Sequence, residues 1–300
     1  MGRFGKVLTA MITPFDKDGA LDLDVAAQLA NWLVDHGNDG LVIAGTTGES
    51  ATLTHDEQIE LVRTVSGAVD VPVIAGTGSN DTAAAIELTQ RATAAGADGI
   101  LVVTPYYNRP SQAGLLSHFK AVAGATDRPV VVYDIPVRTG RKIETDILLE
   151  LAHDVDNIVG LKDAAGNPAE TAVFISEAPE DFDVYSGDDN LSLPFISVGA
   201  SGVIGVATHW TGAEHQDMFA AIDKGDLAAA TAINQSLLRS FAYETGLAAP
   251  NPIPTKAMMR VIGLPVGYGR PPMDVEPDGL EEAARTVLVT TQLGAELGVS

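Results

Sequence analysis

The chain has 300 residues, 46% of them apolar and none of them cysteine, enough for a sizeable core but for no disulfide, thiolate metal site or cysteine nucleophile. Forty acidic residues against eighteen basic ones set a formal net charge of −22, a field that repels nucleic acid and anionic membranes. No apolar run approaches the roughly 20 residues that span a bilayer.

The N-terminal MGRFGKVLTAMITPF is short, contains Pro14 and lacks a small-residue cleavage site; no signal peptide is expected, and the chain is read as cytoplasmic. Eight short apolar runs then follow, at residues 7–12, 40–44, 71–75, 99–103, 129–133, 158–161, 184–186 and 202–206. Most are rich in Val and Ile without polar alternation, as strands buried on both faces are. Helical patterns lie between them. Residues 22–36 carry apolar residues at helical spacing and stop at Gly37; Thr54 and Glu57 form a capping box ahead of Ile59, Leu61 and Val65. Residues 81–95, 145–153 and 168–178 supply further helices. From Gly212 the pattern is read as helical throughout, broken by a loop at 248–256.

Eight strands alternating with helices predict an α/β fold, a (β/α)8 TIM barrel with a C-terminal helical region. The expected division is a catalytic barrel at 1–211 and a helical region packed on it at 212–300. A doubly wound sheet is the alternative, but it needs a phosphate loop. Gly76 and Gly78 follow a strand, yet Asp81 stands where the dinucleotide fingerprint needs its third glycine. The acid is spread along the chain, and its seven lysines are outnumbered by its arginines. Such a surface suits concentrated salt, where screening removes most self-repulsion; halophilic origin is expected, with an ordinary acidic surface as the alternative.

In such barrels chemistry gathers at the C-terminal strand ends. There the sequence puts Thr46, Thr47, Tyr106, Tyr107, Tyr133 and Lys162. Lys162 stands directly after an apolar run, in IVGLKDAAGN (158–167). Partial desolvation there would disfavour its ammonium and free the amine to attack a carbonyl, with a tyrosine passing the protons; pairing with Asp163 or another carboxylate is the bland alternative. Gly45-Thr46-Thr47-Gly48 offers backbone N–H groups that suit a carboxylate, or simply makes a tight turn. Arg138 either grips a substrate carboxylate or pairs with surface acid. His209 and His215 lie beyond the last strand and are not expected to be ligands, and no histidine pair or carboxylate pair with metal spacing stands among the strand ends.

Seven segments, GTTGESATL (45–53), VIAGTG (73–78), VTPYYNRPSQ (103–112), YDIPVRTG (133–140), GLKDAAGN (160–167), SGDD (186–189) and PNPIPTK (250–256), resemble the dihydrodipicolinate synthase family, within the class I pyruvate aldolases that include N-acetylneuraminate lyase. GTTGE marks only that wider group; VTPYYNRPSQ and PNPIPTK are more specific. The resemblance implies a cofactor-free barrel enzyme, a homotetramer built as a dimer of dimers. It condenses pyruvate with L-aspartate-4-semialdehyde in lysine and diaminopimelate synthesis. Carried over, Lys162 is the Schiff-base lysine, and Tyr133, Thr46 and Tyr107 form a proton relay, Tyr107 reaching in from a neighbouring subunit. Thr47 binds the pyruvate carboxylate, Arg138 holds that of the semialdehyde, and Gly187 and Ile204 line the pocket.

Asp134 and Asp163 depart from the family's usual Asn and Glu. Of the family's lysine-feedback site, Ser50, Ala51, His55, Asn80 and Tyr106 match, but Gln58 replaces a histidine and Ala84 replaces the glutamate that holds the effector's ammonium. Feedback by L-lysine is therefore expected to be weak or absent. Two rival readings stand beside the synthase: an aldolase for 2-keto-3-deoxygluconate or a related sugar acid on the same scaffold, and a non-catalytic carboxylate-binding homologue.

Overall fold

A computed structural model describes residues 2–299. Eight parallel strands close into one barrel: β1 (Val7–Ala10), β2 (Gly40–Ile43), β3 (Val73–Gly76), β4 (Gly99–Val103), β5 (Val130–Asp134), β6 (Ile158–Asp163), β7 (Asp183–Ser186) and β8 (Gly202–Gly205). The helices outside it are α1 (Leu23–Asp35), α2 (His55–Ser66), α3 (Thr82–Ala94), α4 (Gln112–Ala123), α5 (Pro136–Thr139), α6 (Thr145–Asp154), α7 (Pro168–Glu177) and α8 (Ser192–Ser197). After β8 come α9 (Thr208–Asp223), α10 (Leu227–Tyr243), α11 (Ile253–Ile262), α12 (Leu280–Leu288) and α13 (Gln292–Glu296). The expected (β/α)8 fold is present. No helix among the described residues is long and apolar enough to cross a membrane.

Strand parity divides the apolar residues into two layers. Leu8, Ala10, Val42, Ile74, Leu101, Val131, Tyr133, Tyr185 and Ile204 fill the barrel interior. Their strand neighbours, such as Leu41, Ile43, Val73, Ile100, Val130, Val132 and Leu161, face the helices. Helix starts are fixed by side-chain caps. Asp22 accepts from Val25 N–H, Thr54 and Glu57 form the expected capping box, and Asp81 accepts from Ala83 N–H.

One irregularity decides which way Lys162 points. Val130 pairs with Ile158, but the next residue, Val131, pairs with Gly160, so Val159 is an extra residue in β6. A bulge of this kind flips the parity of everything after it. Ile158 faces the helices; strict alternation from it would turn Lys162 outward too. The bulge instead sets Lys162 beside the inward-facing Tyr133 and Tyr185.

The C-terminal region differs from the sequence reading in two places. Helix α11 begins at Ile253, inside the expected loop; Pro254 lies in its first turn, where a missing N–H costs nothing. Residues 263–279 are not helical, because Gly263, Gly267 and Gly279 take left-handed φ and the Pro271-Pro272 pair supplies no N–H donors.

The inverse parity puts Asp134 behind the barrel, next to Asp163. Burial pushes its carboxyl up to about 7, Asp163 and Glu170 adding to this while Lys142 and the Ile143 N–H oppose it. A raised carboxyl pKa means that stability is full below the ordinary 3.8 and is lost as pH rises towards about 7. Asp134→Asn should therefore stabilise the protein at pH 8 by on the order of 2 kcal/mol and leave it nearly unchanged at pH 4. Thermal unfolding at the two pH values checks this; an equal effect at both contradicts it.

Candidate active site

At the C-terminal mouth, the turns after β2, β3 and β4, together with α5 and the loop before α11, enclose a cleft of ≈330 Å³. Thr46, Ser50, Gly78, Tyr106, Ile135, Arg138 and Asn251 are on its wall. A smaller recess shares Thr46, Ser50, Gly78 and Val103 with it and reaches Tyr133 below. A larger cleft, ≈750 Å³, lies at the other end of the barrel, around Arg3, Lys6 and Asp183, and holds none of the predicted site residues.

Lys162 is 4% exposed. Its Nζ stands 4.4 Å from the centre of the Tyr133 ring. Burial pulls its pKa down to about 8; Asp189, Asp188 and Glu244 oppose that pull, and the Arg138 charge assists it. Asp163, the partner proposed by the bland reading, is taken up elsewhere. It accepts from the Thr171 hydroxyl at 2.6 Å and from Ala165 N–H at 2.9 Å. The lysine is thus a desolvated amine, a substantial fraction of it neutral near pH 8.

Tyr133 is buried, and burial drives its phenol well above the ordinary value, with Arg138 and a hydrogen bond to the Thr46 side chain opposing the rise. It stays protonated and can donate. Thr47 is buried, and its hydroxyl accepts from Asn251 Nδ2 at 2.8 Å. Arg138 is exposed on the cleft wall and forms no ion pair among the described residues. Ile204 is in the interior layer, under the mouth. Gly187 donates to Asp163 O at 2.7 Å, and a Cβ there would come within 2.8 Å of the Ala164 Cβ. Tyr107 is the exception: it is 91% exposed at φ 72 and does not line the cleft of its own chain.

His209 is a packed core residue. Its Nε2 accepts from Ile12 N–H at 3.1 Å, its Nδ1 contacts Val206 O at 2.7 Å, and burial lowers its pKa to about 4. His215 Nδ1 bonds the Thr211 carbonyl at 2.8 Å.

Three groups near the lysine were not singled out in the sequence. Asp188 is pushed up to about 6, first by burial and then by Asp189. Glu244 is raised well above the carboxylate range by burial and by Asp189, while its Oε2 accepts from Ala207 N–H at 3.0 Å. Asp189 accepts from Val206 N–H at 2.7 Å. The adjacent acids after β7 were a visible signal; Glu244, more than fifty residues on, was not. Asn251 was visible only as part of PNPIPTK.

The model of the "Dihydrodipicolinate synthetase family" matches residues 3–289. The 4-hydroxy-tetrahydrodipicolinate synthase of Moorella thermoacetica is 50% identical over 273 residues, covering 90% of this chain and 92% of that one. The crystal structure of a dihydrodipicolinate synthase from Bacillus anthracis is similar at TM-score 0.92 and 43% identity, over 96% of this chain and 98% of that one. That of the enzyme from Cyanidioschyzon merolae with lysine bound is similar at TM-score 0.94 and 42% identity, over 98% and 100%.

Because ionised Asp188 supports the Lys162 ammonium, Asp188→Asn should move the Lys162 midpoint from about 8 towards ~7. Lysine-selective NMR titration reads this directly. An unchanged or raised midpoint contradicts the field described here.

Proposed function

The chain belongs to the dihydrodipicolinate synthetase family, and from that premise we propose that it condenses pyruvate with L-aspartate-4-semialdehyde to 4-hydroxy-tetrahydrodipicolinate. The observation that carries the reading is Lys162, buried at the mouth with its pKa near 8 and Tyr133 against it. The neutral amine adds to the pyruvate ketone, and loss of water from the carbinolamine leaves an iminium. That cation is an electron sink, so a methyl proton departs and the enamine attacks the aldehyde carbon, whose oxygen takes up a proton; the semialdehyde's own amine then displaces Lys162 from the iminium, closing the ring and freeing the lysine. Tyr133 and Thr46 pass the protons on this side of the relay. Thr47 and the N–H groups of residues 45–48 receive the pyruvate carboxylate. Arg138, unpaired on the cleft wall, receives that of the semialdehyde and offsets a strongly negative protein field. Gly187 and Ile204 shape the pocket floor.

Tyr107 completes the relay from a second copy of the chain, within a homotetramer; its exposure on a left-handed backbone supports this role. We read the chain as two parts, a catalytic barrel at 1–211 and a helical region at 212–300. We also read it as a cytoplasmic protein adapted to high salt, on the strength of its −22 charge.

Purified protein in molar KCl, given pyruvate with aspartate semialdehyde or glyceraldehyde as parallel acceptors, should consume pyruvate selectively with the semialdehyde. Selectivity for glyceraldehyde would make it a sugar-acid aldolase. Arg138→Leu should raise the semialdehyde KM by ~10-fold or more and the pyruvate KM far less; equal effects would remove its assigned role. L-lysine should inhibit weakly or not at all. The Gln58 amide is spent on the Ser50 carbonyl at 3.0 Å, and Ala84 has no carboxylate for the effector's ammonium. Half-inhibition at sub-millimolar lysine would contradict this.

A further inference from the structure

A second lysine is buried, and the proposed chemistry does not use it. Lys256 on α11 is 0% exposed. Its Nζ lies 2.7 Å from Glu49 Oε1, donates to Tyr268 O at 2.9 Å and stands 4.2 Å from the Phe15 ring centre. Burying both charges is expensive, and an apolar pair of similar volume is often as stable or more so. The pair is better explained by the geometry it enforces.

That geometry belongs to the turn carrying Thr46 and Thr47. Ala44 and Glu49 bracket the two threonines, and both take left-handed φ, 55° in each case. Non-glycine residues persist there only when their surroundings over-determine them. The Thr13 hydroxyl holds the turn from β1, donating to Gly48 O at 2.6 Å; around Glu49 the surroundings are one C-terminal stretch, residues 251–270. Lys256 holds Glu49 Oε1, and Arg270 N–H donates to Glu49 Oε2 at 2.9 Å. The Arg270 guanidinium donates to Thr52 O at 2.8 Å and forms a two-pronged pair with Glu57 at 2.5 and 3.0 Å. Asn251 occupies an acceptor position on the Thr47 hydroxyl, leaving the hydroxyl proton for another acceptor.

We infer that the Lys256–Glu49 ion pair is the positioning device that holds the Thr46–Thr47 turn in shape for the substrate carboxylate, so that helix α11 sets pyruvate affinity without touching pyruvate. This rests on the functional reading above, in which Thr47 receives that carboxylate.

The test is pyruvate-dependent borohydride trapping on the full chain in molar KCl, with thermal unfolding in parallel. Lys256→Met strands a buried carboxylate and endangers the fold. The paired variant Glu49→Gln/Lys256→Met leaves no charge unpaired and keeps an acceptor for Arg270 N–H. It should remain folded and trap at saturating pyruvate, with the half-saturating concentration raised at least ~10-fold, a loss of ~1.4 kcal/mol of binding. In a Thr47→Ala background the same pair should add less than about twofold, because the two changes act on one contact. Half-saturation within twofold of the unsubstituted protein overturns the positioning role, as does an equal effect with and without Thr47. Failure of the paired variant to fold makes the ion pair structural and also overturns it. No trapping in the unsubstituted protein would instead remove the functional reading itself.

Discussion

The structure depends on holding an ammonium group where water does not reach. Burial disfavours the charged form of Lys162 and draws its pKa to about 8. The barrel supplies that burial from inward side chains of neighbouring strands, Tyr133 on β5 and Tyr185 on β7. Desolvation alone would depress the amine further and leave any cation formed on it unsupported. Asp189 and Asp188 oppose that excess. A field of this sign suits a nitrogen that must be neutral to attack and cationic once it has become an iminium. The two carboxylates do this without an ion pair to the lysine among the described residues; Asp189 Oδ2 instead accepts from the Val206 N–H.

Aim matters as much as environment. The extra residue at Val159 turns Lys162 inward and, by the same step, turns Asp163 outward with Asp134. The outward pair costs stability at neutral pH, since two carboxyls share a buried space behind the barrel. The threonine turn is bought in a similar way, with two left-handed residues and a buried ion pair. Strain and buried charge are thus concentrated around the two groups proposed to meet pyruvate, an amine and a turn of hydroxyls and N–H groups.

Much of this was legible in the sequence. All eight strands fall where Val- and Ile-rich runs predicted them, because a strand buried on both faces has little choice of composition. The position of Lys162 at a strand end was equally plain. Its direction was not: a bulge needs no special residue, and counting from Ile158 would have pointed the lysine at the helices. The helical reading of the C-terminal region failed where glycines and prolines at 263–279 break the backbone. Contacts between distant segments, such as Glu244 near the lysine or Lys256 with Glu49, have no local pattern. Tyr107 marks a different boundary. Within one chain it does not line the cleft, so the role proposed for it calls for a second copy.

The central claim is that Lys162, buried beside Tyr133 and held, among the described residues, in no ion pair such as the one that occupies Lys256, is the nucleophile. The direct measurement is to treat the protein with pyruvate and borohydride and map the reduced adduct by mass spectrometry of its peptides. The account predicts one modified site, Lys162, and no adduct when pyruvate is omitted or in Lys162→Ala. An adduct on Lys256 or on a surface lysine, or none at all, would contradict it.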